Sequence, residues 1–291
     1  MKHILIGNQK APIIGQGAWN VGDDAGVATR EIEALRLGVN CGMTLIDTAE
    51  MYGEGKSEVL VGEAIRPLDR RKLFLVSKVL PSNAVKDRVI ECCEASLARL
   101  GTDYLDLYLL HWREGAPLKE TVRRMEELKA MGKIRAWGVS NFDTTDMEDL
   151  FAVENGRNCA VNQVLYHIAS RGTEYDLQPW CKAHGVPIMA YCPLAQAGLL
   201  SRRIFDRKAL VEVARRQTER RGGTPPPVTP AQILLAFCIR DGNVIAIPKS
   251  GNPNHTRENA LASEIVLCEE DMRILDKEFP APTCKTPLDV E

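Results

Sequence analysis

Eight short apolar runs, each stopping abruptly, recur along the chain: PIIGQG, TLID, LFLVSK, YLDLYLLH, RAWGVS, AVNQ, PIMAY and VIAIP. Runs of this length and character read as buried strands. Their ends at Gly17, Asp47, Lys78, His111, Ser140, Gln163, Tyr191 and Pro248 are separated by 30, 31, 33, 29, 23, 28 and 57 residues. The stretches between them include EIEALRLGVN, DRVIECCEASLARL, LKETVRRMEELKAMG and LQPWCKAH, with apolar residues three or four apart as on one face of a helix. The first six intervals are the length of single strand–helix units. The long seventh holds two helical patterns, RKALVEVARRQTER and PAQILLAFCIRDG, parted by the turn-rich GGTPPPV, and so contains an extra helix. Strand and helix alternating eight times predict an α/β fold, a closed (β/α)8 TIM barrel, occupying residues 1–291 as a single domain. The opening segments KHILIG and KAPIIG, joined by NQ, predict an N-terminal β-hairpin that closes the opposite end of the barrel.

Composition narrows the function. Among 291 residues, Lys and Arg number 37 against 39 Asp and Glu, so no basic field invites nucleic acid or an anionic membrane. A small molecule is the expected partner, and a monomer is the default state. The N-terminus lacks the apolar core of a signal peptide, and no stretch reaches the length of a membrane span, so a cytoplasmic location is expected. Nine scattered cysteines show neither a C-x-x-C pair nor zinc spacing, and they read mostly as reduced, buried hydrophobes.

In such a barrel the chemistry sits at the C-terminal ends of the strands. Asp47 ends the second run, Tyr52 follows it in a glycine-rich loop, Lys78 ends the third and His111 the fourth. Taken singly, Asp47 serves equally as a helix cap, Tyr52 as a loop aromatic and His111 as a core histidine. Lys78 is harder to absorb, because an ammonium ending a buried strand needs a counter-charge, and Asp47 is the neighbouring candidate. A structural ion pair accounts for those two residues. A proton-donor site accounts for all four: Lys78 favours the Tyr52 phenolate, Asp47 holds the ammonium, and His111 bonds an oxygen in front of the tyrosine.

These residues, with LIDTAEMYG, VSK, LDLYLLHW, GKIRAWGVSNF, NQVLYH, AYCPLAQAG, IPKS and REN in that order, resemble the aldo-keto reductase superfamily through essentially the whole chain. The resemblance implies that Asp47, Tyr52, Lys78 and His111 form a catalytic tetrad with Tyr52 as general acid. It implies NADP(H), with NAD(H) as the alternative, and no metal. The chain has no G-x-G-x-x-G after a strand, and GEGKS fails the phosphate-loop pattern. By the same resemblance Ser140, Asn141 and Gln163 hold the nicotinamide carboxamide and Tyr191 stacks beneath the ring. Cys192 and Leu194 follow toward the pyrophosphate, and Lys249, Ser250, His255, Glu258 and Asn259 surround the adenosine. The HTREN segment is expected to begin a helix.

Three positions depart from the family's habit. His255 stands where an arginine is frequent, which weakens the expected grip on a 2′-phosphate, since an imidazole lacks a permanent charge. Cys192 stands for a serine and Ala18 for a threonine. The loop WREGAP and the chain end PAPTCKTPLDVE are short for this family, leaving Trp19, Met51 and Trp112 around a shallow substrate pocket. Small 2-oxoaldehydes such as methylglyoxal and activated aromatic aldehydes are the expected substrates. A cofactor-binding regulatory subunit of the channel type, with slow turnover, is the alternative reading. A metal-dependent barrel isomerase or hydrolase would need more rim ligands than one aspartate tied to a lysine and one histidine.

Overall fold

The computed structural model describes residues 1–195, 203–223 and 225–291. The end of the AYCPLAQAG motif, residues 196–198, and Thr224 of the proline-rich turn lie outside them. The chain opens with an antiparallel hairpin, β1 (His3–Ile6) and β2 (Gln9–Pro12). Its turn is Gly7–Asn8, one residue earlier than NQ, because Gly7 supplies the positive φ of 56° with which the turn begins.

Eight parallel strands follow: β3 (Gln16–Gly17), β4 (Leu45–Asp47), β5 (Phe74–Val79), β6 (Leu105–Leu110), β7 (Ile134–Ser140), β8 (Asn162–Leu165), β9 (Ile188–Tyr191) and β10 (Val244–Ala246). Each pairs with the next in chain order. Parallel bridges Ile14 to Ala246 and Gly17 to Lys249 join the first strand to the last and close the ring. The Gly15 amide donates to the Ala246 carbonyl at 2.8 Å and the Gly17 amide to the Pro248 carbonyl at 3.1 Å. A side chain at Gly17 would meet the Ile247 carbonyl at 2.8 Å, so the closure depends on glycine there. The AVNQ run continues further than expected: β8 extends to Leu165, which pairs with Tyr191, so Gln163 sits inside the strand.

The return helices are α1 (Ala28–Asn40), α2 (Lys56–Ile65), α3 (Arg88–Leu100), α4 (Leu118–Ala130), α5 (Thr144–Ala152), α6 (Leu177–Ala183), α7 (Lys208–Arg220), α8 (Pro230–Ile239), α9 (Pro253–Leu261) and α10 (Glu269–Glu278). α7 is the extra helix of the long interval, and α10 packs on it after the last unit. α8 starts where its sequence dictates: Thr229 and Gln232 form a reciprocal capping box around Pro230. Two apolar layers result. Ile6 and Ala11 of the hairpin plug the barrel interior under Leu45, Phe74, Leu107 and Ile245, while the larger layer lies between strands and helices. With the floor plugged, a ligand reaches the barrel from the opposite, C-terminal rim. Among the described residues no helix is long and apolar enough to cross a membrane.

Candidate active site

Asp47, the last residue of β4, is 2% exposed, and Lys78 in β5 is fully buried. The Lys78 ammonium donates to Asp47 Oδ2 at 2.7 Å, to the Thr48 carbonyl at 2.9 Å and to the Tyr52 hydroxyl at 3.0 Å. All three of its donors are thereby used. Tyr52 comes from the short helical turn Tyr52–Gly55 after β4, which Gly53 and Gly55 bend with φ of 56° and 89°. His111, one residue beyond β6, sets its ring edge-on to Tyr52 with centroids 5.7 Å apart. Asp47 has a second partner, the Gln163 side-chain amide, which donates to Oδ1 at 2.8 Å. The four candidate catalytic residues therefore form one contiguous cluster.

Its electrostatics follow from burial. Burial opposes the Lys78 charge, but Asp47 and Tyr52 more than offset it and hold the ammonium above its ordinary range. Burial raises the Tyr52 phenol, with Lys78 pulling against it. Lys78 favours the phenolate, as expected, but desolvation outweighs the cation, and the hydroxyl keeps its proton. Burial, reinforced by Lys78, lowers His111 to about 3, so its imidazole is neutral, and its Nδ1 has no hydrogen-bond partner among the described residues.

The cluster opens into a cavity of about 120 Å³. Asp47, Tyr52, His111, Ser140, Asn141, Gln163, Tyr191 and Cys192 line it, and Trp19 and Met51, each 42% exposed, stand at its mouth. Trp112 stays outside the lining. Its indole donates to Glu114 at 2.7 Å and packs on His111 at 5.0 Å between ring centroids, so it buttresses the imidazole instead. The Tyr191 hydroxyl donates to Asn141 Oδ1 at 2.9 Å, fixing the ring across the floor.

A second cavity, of about 760 Å³, takes up Leu194, Ser250, His255, Glu258 and Asn259. Lys249 lines both, so the two form one groove running from Tyr52 to Asn259. α9 begins at Pro253, capped by the Asn252 side chain on the Asn254 amide at 3.0 Å, two residues before the expected start. His255 through Asn259 accordingly lie within the helix.

The Aldo/keto reductase family matches residues 13–278. This chain belongs to that family. The reductase is 49% identical to methylglyoxal reductase YeaE of Escherichia coli, over 98% of this chain and 96% of that protein. It is 34% identical to a glyoxal reductase of Bacillus subtilis, over 91% of this chain and 88% of that one. A crystal structure of an aldo/keto reductase from Klebsiella pneumoniae, in complex with NADP and acetate, superposes with a TM-score of 0.93. It is 50% identical, covering 100% of this chain and 99% of that one.

Some lining residues of this reductase carry no sequence signal. Glu291 reaches the first cavity and accepts from the Cys192 thiol at 3.2 Å. Burial, together with Glu291, raises that thiol, which keeps it a donor. The segment leading there is strapped across the rim: Lys285 pairs with Asp143 at 3.2 Å and Asp176 at 2.8 Å, and Ser170 bonds Asp289. The segment ending at Glu291 lies against the first cavity and forms a wall. Val27, Arg30, Glu31 and Phe205 also line the second cavity. They sit on the first turn of α1, the residue before it, and the turn before α7.

Proposed function

We propose that the protein is an NADP(H)-dependent carbonyl reductase of small aldehydes and ketones. Its catalytic groups are Asp47, Tyr52, Lys78 and His111, with Tyr52 as general acid. One observation carries this reading: Lys78 donates to the Tyr52 oxygen, so the tyrosine's own hydrogen is free to be donated into the cavity. A reduced nicotinamide coenzyme supplies the hydride that reaches the carbonyl carbon. As charge gathers on the substrate oxygen, Tyr52 gives up its proton, and Lys78, already charged and fixed on three oxygens, steadies the phenolate. Asp47 keeps the ammonium in place. A neutral His111 can donate one N–H to the same substrate oxygen without adding a charge that would compete with Lys78.

The groove suits the coenzyme in its donor set. Gln163, with its amide committed to Asp47, keeps its oxygen for a carboxamide N–H, and Ser140 and Asn141 stand beside it. Tyr191 is the surface under the ring, and Cys192 and Leu194 continue toward Lys249, Ser250, His255, Glu258 and Asn259. A bound pyrophosphate would compete with the Glu291 carboxylate for the Cys192 thiol, which has one hydrogen to donate. Kinship with a methylglyoxal reductase and with a reductase crystallised with NADP supports both coenzyme and substrate class.

The first cavity is small, and the strapped chain end limits what enters it. We therefore expect the best kcat/KM with 2-oxoaldehydes such as methylglyoxal and with activated aromatic aldehydes, whose reactivity makes up for sparse remote binding. A panel of carbonyls assayed with NADPH and NADH tests this. A steroid ketone ranked above methylglyoxal would contradict the pocket reading, and bound coenzyme with negligible turnover on every carbonyl would return the regulatory-subunit alternative.

A further inference from the structure

The departure at His255 leaves a charge to be found. A 2′-phosphate at pH 7 carries more than one negative charge, and the second cavity must neutralise it if NADPH is to be preferred. Lys249 is the expected cation, but its ammonium lies 3.5 Å from Glu31 Oε1. Glu31 is 3% exposed and held by the Gly22 amide at 3.0 Å, so this carboxylate is built into the wall beside Lys249 and competes for its ammonium. Glu258 adds a further carboxylate to the lining. His255 is exposed and has no fixed charge to contribute.

Among the described residues lining this cavity, one full cation remains. Arg30, on the first turn of α1, lines the same cavity, is exposed, and has no hydrogen bond or ion pair among the described residues. α1 packs directly along α9, so Arg30 approaches from the wall facing His255 and Ser250. Leu194, Phe205 and Pro230 supply apolar lining suited to an adenine face, and Arg30, Ser250 and Asn252 are among the polar residues that line the same cavity.

We propose that Arg30 determines coenzyme specificity by gripping the 2′-phosphate of NADP(H), replacing from α1 the charge that His255 does not provide on α9. A guanidinium suits this task, because its planar fork pairs two phosphate oxygens and never loses its proton. The inference rests on the reading that this cavity holds the adenosine end of the coenzyme.

The test is coenzyme binding without carbonyl substrate, followed by protein fluorescence or calorimetry, for wild type, Arg30→Met, Arg30→Lys and Lys249→Met. Arg30→Met should weaken NADPH about ten- to a hundredfold and NADH less than about twofold, the scale of one charge-assisted hydrogen-bonded pair. It should also flatten the salt dependence of NADPH binding, and Arg30→Lys should recover part of the loss. Arg30 is exposed, and an unchanged melting temperature will show that the fold is kept. If Lys249→Met weakens either coenzyme while Arg30→Met affects neither, or affects both equally, the role of Arg30 is overturned and the adenosine reading stands. If neither substitution changes either coenzyme, the adenosine reading falls and the inference with it.

Discussion

The two ends of the groove that meets at Lys249 hold charge in opposite ways. At the Tyr52 end the ammonium of Lys78 is fully buried on three oxygens, and Asp47 has a second donor in Gln163. At the Asn259 end Arg30 and His255 are exposed and Lys249 faces Glu31 across 3.5 Å. Buried, saturated pairs in a low-dielectric setting cost most to break and are little screened; exposed ones contribute less and fade with salt. On the proposed reading the chemistry is carried by residues set in the barrel itself, whereas coenzyme choice would rest on exposed wall residues.

Breaking the dry end should have the largest effect. Lys78→Met removes the phenolate's cation and strands the Asp47 carboxylate with only Gln163, so reduction should be abolished near neutral pH, with a stability loss of ~3–5 kcal/mol. Asp47→Asn keeps the ammonium and an acceptor oxygen and should be milder in both respects. Steady-state kinetics and denaturant titration read the two together; a more damaged aspartate variant would reverse the roles assigned here.

At the wet end, His255→Arg adds a second guanidinium to the second cavity. It should tighten NADPH by ~1.5 kcal/mol, about tenfold, with NADH nearly unchanged. Equal tightening of both coenzymes would mean that position 255 does not face the 2′-phosphate.

A smaller effect distinguishes the ends by pH. His111 is lowered to about 3 from an ordinary 6.5, so the folded protein refuses a proton that the unfolded chain accepts. Its contribution to stability is intact above pH 6.5 and is lost as pH falls toward 3. His111→Phe should make the melting temperature fall less steeply between pH 6.5 and pH 4 than in wild type, and an unaltered slope would show that burial does not hold the imidazole neutral.

How much of this was legible beforehand follows the same division. The barrel reads from abrupt apolar runs, because each strand buries both faces, and the clustering of Asp47, Lys78 and His111 reads because they end such runs. Tyr52 follows from its glycine-rich loop. What escaped depends on contacts distant in the chain. Glu291 reaches Cys192 across 99 residues of sequence, guided by ion pairs of Lys285 that no local pattern announces. Arg30 looks like any exposed helix cation until α9 is laid beside α1. Trp112 was expected in the pocket, but Glu114 two residues on takes its N–H and turns the indole outside. The net direction of the Tyr52 shift escapes the sequence for a related reason: motifs reveal a neighbouring cation but not how completely the phenol is desolvated.

The central claim is that the hydroxyl of Tyr52 is the proton donor while contributing nothing to coenzyme affinity. Single-turnover reduction of methylglyoxal by NADPH-loaded wild type and Tyr52→Phe, alongside NADPH titration of each, tests it most directly. The account predicts a loss of ~10²- to 10⁴-fold in the rate with NADPH affinity within about twofold of wild type. A Tyr52→Phe enzyme that turns over near the wild-type rate would contradict it.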